Sequence, residues 1–166
     1  MSKIAGIYWD DTAAAPGISL SVYFSGCHFH CPGCHNPEAQ DFNYGTDFNW
    51  DIVGAIMTKL KKNGVMRTLS ILGGEPLCEE NLGDVLRLIG WCKNDYPDLK
   101  IYVWTGYTIE ELEARDDDDI RAVLRNITCL IDGRYEQDKR DTTLPLRGSS
   151  NQRIIYMEDY YEGKFS

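Results

Sequence analysis

The sequence predicts an α/β fold built on a mostly parallel sheet, and three observations carry that prediction. Short runs rich in β-branched and aromatic residues alternate with stretches whose apolar positions recur at helical spacing. Each run ends in a turn that is polar or rich in glycine. The chain has 166 residues, enough to bury about two thirds of its unfolded surface around one core, so a single domain is expected. Strands alternating with helices imply βαβ crossovers, and such a sheet takes its ligands at the carboxyl ends of its strands.

The first strand is expected from Ile18 to Phe24, after the turn Pro16-Gly17, and it feeds directly into a loop that carries Cys27, Cys31 and Cys34. Ile52, Val53, Ile56 and Leu60 define a first helix, with Asp51 as its cap and Asn63-Gly64 as its stop. A second strand from Thr68 to Leu72 ends at Gly73-Gly74-Glu75-Pro76, and Leu82, Val85, Leu86 and Ile89 mark the helix that follows. A third strand from Lys100 to Trp104 ends at Thr105-Gly106-Tyr107. It leads to a helical stretch from Ile109 and a helix from Ile120 to Leu124, whose start the acidic run Asp116 to Asp119 caps. The fourth strand, Ile127 to Ile131, ends at Asp132-Gly133. The cysteine loop, GGEP, WTGY and DGRY are therefore expected to meet on one rim. No repeat, low-complexity segment or linker divides the chain. One domain over 1–166 is expected, with its core at about 16–156 and a loosely tied end at 157–166.

The balance of 17 basic and 26 acidic residues, a net charge of −9, with no long basic patch, argues against nucleic acid or an anionic membrane as partner. The amino-terminal stretch has no apolar signal-type segment. Nowhere do roughly 18 apolar residues follow one another, so a cytoplasmic location is expected. In a reducing compartment the six cysteines read as thiols or metal ligands rather than disulfides, and the glycosylation pattern at Asn126 is accidental. Cys92, on the apolar side of the second helix, and Cys129, within a strand, read as buried small hydrophobes. Cys78, three residues after Glu75, stands near the rim, where a redox role is open to it.

Three thiols within eight residues, on a loop leaving a strand, can hold a soft metal or an iron-sulfur cluster while leaving one metal position unfilled. The same loop also fits a zinc site completed by His28, His30 or His35, which would make the protein a non-enzymatic module that docks partners. Under the cluster reading His28 and His30 are loop residues that tune the centre by hydrogen bonding. The GGEP turn is either a plain tight turn or a place where the backbone approaches a ligand closely while Glu75 offers its carboxylate to a cationic amine. Arg147 to Gln152, RGSSNQ, read alone is a polar surface loop.

The CxxxCxxC spacing between a first strand and a GGEP turn resembles the radical S-adenosylmethionine superfamily. The segments PG, SGC, CPGC followed by Asn36, GGEPL, VWTGY, IDGRY and RGSSNQ also stand in the order found in the activating enzymes of anaerobic, class III ribonucleotide reductases. This match runs from about Pro16 to Gln152, and WTGY and RGSSNQ carry it beyond the general superfamily. The resemblance implies an open partial (βα) barrel, shortened, with one 4Fe-4S cluster on Cys27, Cys31 and Cys34 and S-adenosylmethionine on the fourth iron. It implies that Gly73, Gly74 and Glu75 contact the methionyl ammonium, and that Thr105 and Asp132 contact the ribose and methionyl parts. Backbone groups around Gly33, Cys34 and His35 are left for the adenine. Gly33 stands where many members carry an aromatic residue, a departure shared by this subfamily. Ser19 and Leu72 stand where the family frequently has arginine and serine.

The implied activity is reductive cleavage of S-adenosylmethionine and abstraction of hydrogen from a glycine of the large subunit of the anaerobic ribonucleotide reductase, which leaves a glycyl radical. A small flavoprotein such as flavodoxin is the implied electron donor, and no protein acid or base is required. Another glycyl-radical enzyme as substrate remains the alternative within the superfamily. A short, unroofed barrel suits a substrate that is itself a protein.

Overall fold

The computed structural model describes residues 1–163. In chain order the strands are β1 (Lys3–Asp11), β2 (Ser19–Phe24), β3 (Thr46–Asp47), β4 (Thr68–Gly73), β5 (Ile101–Trp104), β6 (Cys129–Asp132) and β7 (Arg153–Tyr156). The helices are α1 (Trp50–Leu60), α2 (Glu79–Asp95), α3 (Ile109–Ala114), α4 (Asp118–Asn126) and α5 (Met157–Tyr161). Among the described residues the strands form one sheet in the order β3-β1-β2-β4-β5-β6-β7.

The centre of that sheet is parallel: β2 pairs with β4, β4 with β5 and β5 with β6, and these are the four strands that the apolar runs predict. The edges are antiparallel, because β1 runs against β2, β3 against β1 and β7 against β6. The sequence reading missed all three of these antiparallel strands. β1 carries buried and partly buried residues from Lys3 to Ile7 and then an exposed run from Tyr8 to Asp10, and two register shifts break it, which leaves little periodic signal.

Residue parity along the central strands separates the two faces of the sheet. Leu20, Val22 and Phe24 of β2, Leu69 and Ile71 of β4, Ile101 and Val103 of β5 and Leu130 of β6 pack against the helices in the main core. Val53, Ile56 and Leu60 of α1, Val85, Leu88, Ile89 and Cys92 of α2 and Val123 and Leu124 of α4 meet them there. The opposite face carries a smaller cluster of Tyr102, Cys129 and Ile131 with Ala15, against which Trp104, Leu146 and Ile154 pack.

Asn49, not Asp51, caps α1: its side chain accepts from the Ile52 amide at 3.0 Å, and Asp51 lies within the first turn. The expected stop holds, since Asn63 and Gly64 both take positive φ. Asp117, within the expected acidic run, caps α4. In the segment expected to be loosely tied, α5 buries Met157, and Tyr160 packs on the core; residues 164–166 lie outside the described residues. Among the described residues no helix is long and apolar enough to cross a membrane.

Candidate functional site

A cavity of about 510 Å³ opens at the carboxyl ends of the parallel strands. Cys27, Cys31, Cys34 and His35 line it from the loop after β2, Gly73, Gly74 and Glu75 from the turn after β4, and Thr105 and Gly106 from the turn after β5. Gly133 and Tyr135 contribute from the turn after β6, and the segment Leu144 to Gly148 closes one side. The expected convergence of four strand ends is present.

The cysteine loop is folded back by a short 3-10 turn over Pro37–Gln40, to which the Gly26 and Cys27 amides donate at 2.6 and 3.1 Å through the Ala39 and Gln40 carbonyls. Two further bonds continue the ladder past the strand ends: Gly74 N–H donates to Phe24 O at 2.9 Å and Glu75 N–H to Gly26 O at 2.7 Å. The two glycines of GGEP are needed for this junction. A Cβ on Gly73, which has φ +133, would lie 2.1 Å from Phe24 O, and one on Gly74 would lie 2.5 Å from Gly26 O. Their close approach is to the end of β2, and it fixes Glu75 relative to Cys27.

All three loop cysteines are free and partly exposed. Burial pushes the Cys27 and Cys31 thiols above the usual range, so a ligand that takes them as thiolates must displace their protons. His28 pairs with Glu80 at 2.6 Å, His30 shares a hydrogen bond with Gln40 at 2.8 Å, and the His35 ring lies 4.8 Å from that of Tyr135. Among the described residues no three His, Cys, Asp or Glu side chains converge to hold a single metal ion. A multi-iron cluster takes one thiolate per iron, set farther apart than the ligands of one ion. Three soft donors facing one open cavity fit that group.

Glu75 is 1% exposed, and its carboxylate accepts three hydrogen bonds: from Gly106 N–H at 2.6 Å, Leu77 N–H at 2.8 Å and the Thr105 hydroxyl at 2.7 Å. Burial outweighs these donors and holds its carboxyl at about 7. Thr105 thus lines the cavity and orients Glu75 at once. Gly33, at φ +76, packs against the Gln137 side chain outside the cavity lining.

Asp132 also stays off the cavity. It shares its parity with Leu130, so its side chain turns to the helix face, accepting from Ile109 N–H at 2.8 Å and from Arg153 at 3.0 and 2.5 Å. Ser19 is buried in the sheet and accepts from the Ser70 hydroxyl at 3.2 Å, whereas Leu72 lines the cavity. Cys78, Cys92 and Cys129 are buried thiols, each pushed up to about 12 by burial, and none lines the cavity.

RGSSNQ is an ordering element. Gln152 accepts from the Gly148 and Ser149 amides at 2.9 and 3.1 Å and donates to Gly133 O at 2.9 Å, while Asn151 donates to Arg134 O at 2.7 Å. These bonds tie the segment beside the cavity to the end of β6. Asn151→Ala should therefore loosen the rim by about 1 kcal/mol and impair activation while iron content stays at the wild-type level. Measured iron and glycyl-radical yield on the same preparation check this, and loss of iron would contradict it.

The 4Fe-4S single cluster domain family matches residues 13–155. The chain is 39% identical over 155 residues to the anaerobic ribonucleoside-triphosphate reductase-activating protein of Pasteurella multocida (strain Pm70), a match that covers 93% of this chain and 96% of that protein. The chain belongs to this family of activating proteins. Its similarity extends to the activating protein of Escherichia coli (strain K12), 34% identical over 148 residues covering 89% of this chain and 94% of that one. The counterpart from Enterobacteria phage T4 is 30% identical over 148 residues, covering 89% and 90%. Membership in a 4Fe-4S single cluster domain family supports an iron-sulfur cluster over zinc for this chain.

Sequence reasoning missed Phe29, Asp11, Tyr23 and Leu144, which line the cavity of this family member. For Tyr23 the signal was available: it lies two residues from Ser21 on the sheet face opposite Val22 and Phe24. Leu144 and Phe29 sit on irregular loops, where no periodicity points.

Proposed function

We propose that this protein activates an anaerobic ribonucleotide reductase by generating a glycyl radical on its large subunit. The observation that carries this reading is the cavity itself, where three free thiols and a buried glutamate from different strand ends line one opening in a member of the activating-protein family. Cys27, Cys31 and Cys34 would hold one 4Fe-4S cluster, and the turn Gly73-Gly74-Glu75 with Thr105 would receive the methionyl end of S-adenosylmethionine. With an electron from a small flavoprotein such as flavodoxin, that pair when bound supplies reductive cleavage of S-adenosylmethionine and, through it, removal of hydrogen from a glycine of the reductase.

The protein's own residues bind, orient and shield. Glu75, fixed by three donors, presents a preset acceptor to a cationic amine, so little freedom is lost when the ligand arrives. Backbone around Cys34 and His35 is left for the adenine. No residue in the cavity is needed as an acid or base.

The parallel strands β2, β4, β5 and β6 would form the open partial barrel of a single radical S-adenosylmethionine domain in the cytoplasm. Its mouth would be completed by the reductase. The test is anaerobic: reconstitute with iron and sulfide, reduce, add S-adenosylmethionine, and measure 5′-deoxyadenosine with and without a class III reductase. Cleavage together with a glycyl-radical signal on the reductase is expected. Cleavage without that signal would move the partner to another glycyl-radical enzyme, and no cleavage would overturn the reading.

A further inference from the structure

Between Cys27 and Cys31 the loop reads His28-Phe29-His30, and of these three only Phe29 turns inward, with both histidines exposed. Its ring lies over Gly106, where an added Cβ would come within 2.6 Å of it. It meets the Tyr107 ring edge-on, with centroids 4.8 Å apart at 72°. The Arg134 guanidinium sits 4.3 Å from the centre of the Phe29 ring. Arg134 is itself held, since its two terminal nitrogens donate to the two carboxylate oxygens of Glu111 at 2.9 Å each. Glu111 closes the capping box of α3 with Thr108. One side chain of the cysteine loop thus touches the turns after β5 and β6, and a bidentate ion pair braces the second of these contacts.

We propose that Phe29 is a positioning residue that latches the cysteine loop to the ends of β5 and β6 and so governs how firmly Cys27, Cys31 and Cys34 retain their cluster. The proposal rests on the reading of those thiols as cluster ligands. Its physical basis is local. Phe29 stands between Cys27 and Cys31, two residues from each, so whatever fixes its side chain also fixes the backbone that carries two of the three thiols, and the packing around a ligand loop helps set both retention and potential of an iron-sulfur centre. Gly106 fits the same scheme, because it accepts the Phe29 ring on one side and donates its N–H to Glu75 on the other.

The test uses the reconstituted protein with Phe29→Ala, Phe29→Tyr and Arg134→Gln. It follows the rate at which a chelator strips iron, the reduction potential of the cluster, and the unfolding midpoint of the cluster-free chain. Phe29→Ala should lose iron about tenfold faster than wild type, from loss of the aromatic and cation-π contacts together. Arg134→Gln should lose it roughly threefold faster, since only the cation is removed. Phe29→Tyr should restore wild-type retention, the potential should shift in Phe29→Ala, and the cluster-free midpoints should stay together. Wild-type retention and potential in Phe29→Ala would overturn the latch, as would a fall in its cluster-free midpoint that accounts for the loss. Failure of the wild-type protein to take up any cluster would overturn the reading of the site along with it.

Discussion

Cys31→Ala is expected to yield a folded, colourless protein that binds no cluster and produces no glycyl radical. Among the described residues Cys31 is one of three thiols that line the cavity, and His28 and His30 are engaged with Glu80 and Gln40, which leaves His35 as the one imidazole in the cavity lining. The loss should exceed the roughly 10- to 100-fold that removing an outer partner of a metal ligand costs. Folding should persist, because the loop is anchored by the Gly26 and Cys27 amides rather than by thiol packing, and Cys31 is only partly buried. Cys78→Ala is the internal control: its thiol is buried, pushed up to about 12 and absent from the cavity lining, so cluster content should match wild type. Iron and sulfide analysis with the visible spectrum of each reconstituted variant reads the outcome. A full complement of iron in Cys31→Ala would mean that another donor completes the set.

Glu75→Gln is expected to weaken binding of S-adenosylmethionine by roughly 10- to 100-fold, the range of a charge-assisted hydrogen bond of about 1.5–3 kcal/mol. The substitution keeps the shape but not the acceptors. Whichever way the amide is turned, its NH2 faces Gly106 N–H or Leu77 N–H, where the carboxylate accepted both. Equilibrium dialysis with unreduced, cluster-loaded protein measures this without any turnover. Equal affinity in the variant would remove Glu75 from the amine-binding role.

The same residue predicts a pH dependence with a definite sign. The Glu75 carboxyl stands at about 7 in the folded chain against 4.5 as its ordinary value, so between these limits the folded state holds the proton more tightly than the unfolded one. Its contribution to stability is fully present below pH 4.5 and is lost as pH rises through about 7. The difference amounts to roughly 3 kcal/mol across that window. Urea unfolding of the cluster-free chain at pH 5 and pH 8 should show the slope in wild type and lack this part of it in Glu75→Gln. A cationic ligand favours the ionised form, so binding should tighten as pH rises toward 8.

The parallel strands were legible because each is a short run rich in apolar, β-branched and aromatic residues ended by a distinctive turn, and the cysteine spacing is a local pattern that needs no fold to be seen. β1 and β7 were not legible. A strand that buries only part of one face carries weak alternation, and its pairing partner is decided by where the rest of the sheet leaves an open edge. Asp132 shows a finer limit. Its position at a strand end drew it into the expected ligand-binding set, yet parity with Leu130 turns its carboxylate to Arg153 and Ile109 on the helix face. Phe29 shows the reverse, an unremarkable aromatic between two ligands whose partners, Gly106, Tyr107 and Arg134, lie 77, 78 and 105 positions away along the chain.

By itself the amino-acid sequence determined the element types of the core, the three thiols, and the order of motifs that places this chain among the activating proteins, because these are set by local spacing and side-chain chemistry. Only the tertiary structure decided which residues face the cavity, that the two glycines of GGEP make room for the end of β2, and that RGSSNQ ties the rim to β6. Those outcomes depend on the face a strand residue presents and on contacts between segments far apart in the chain, and local spacing encodes neither.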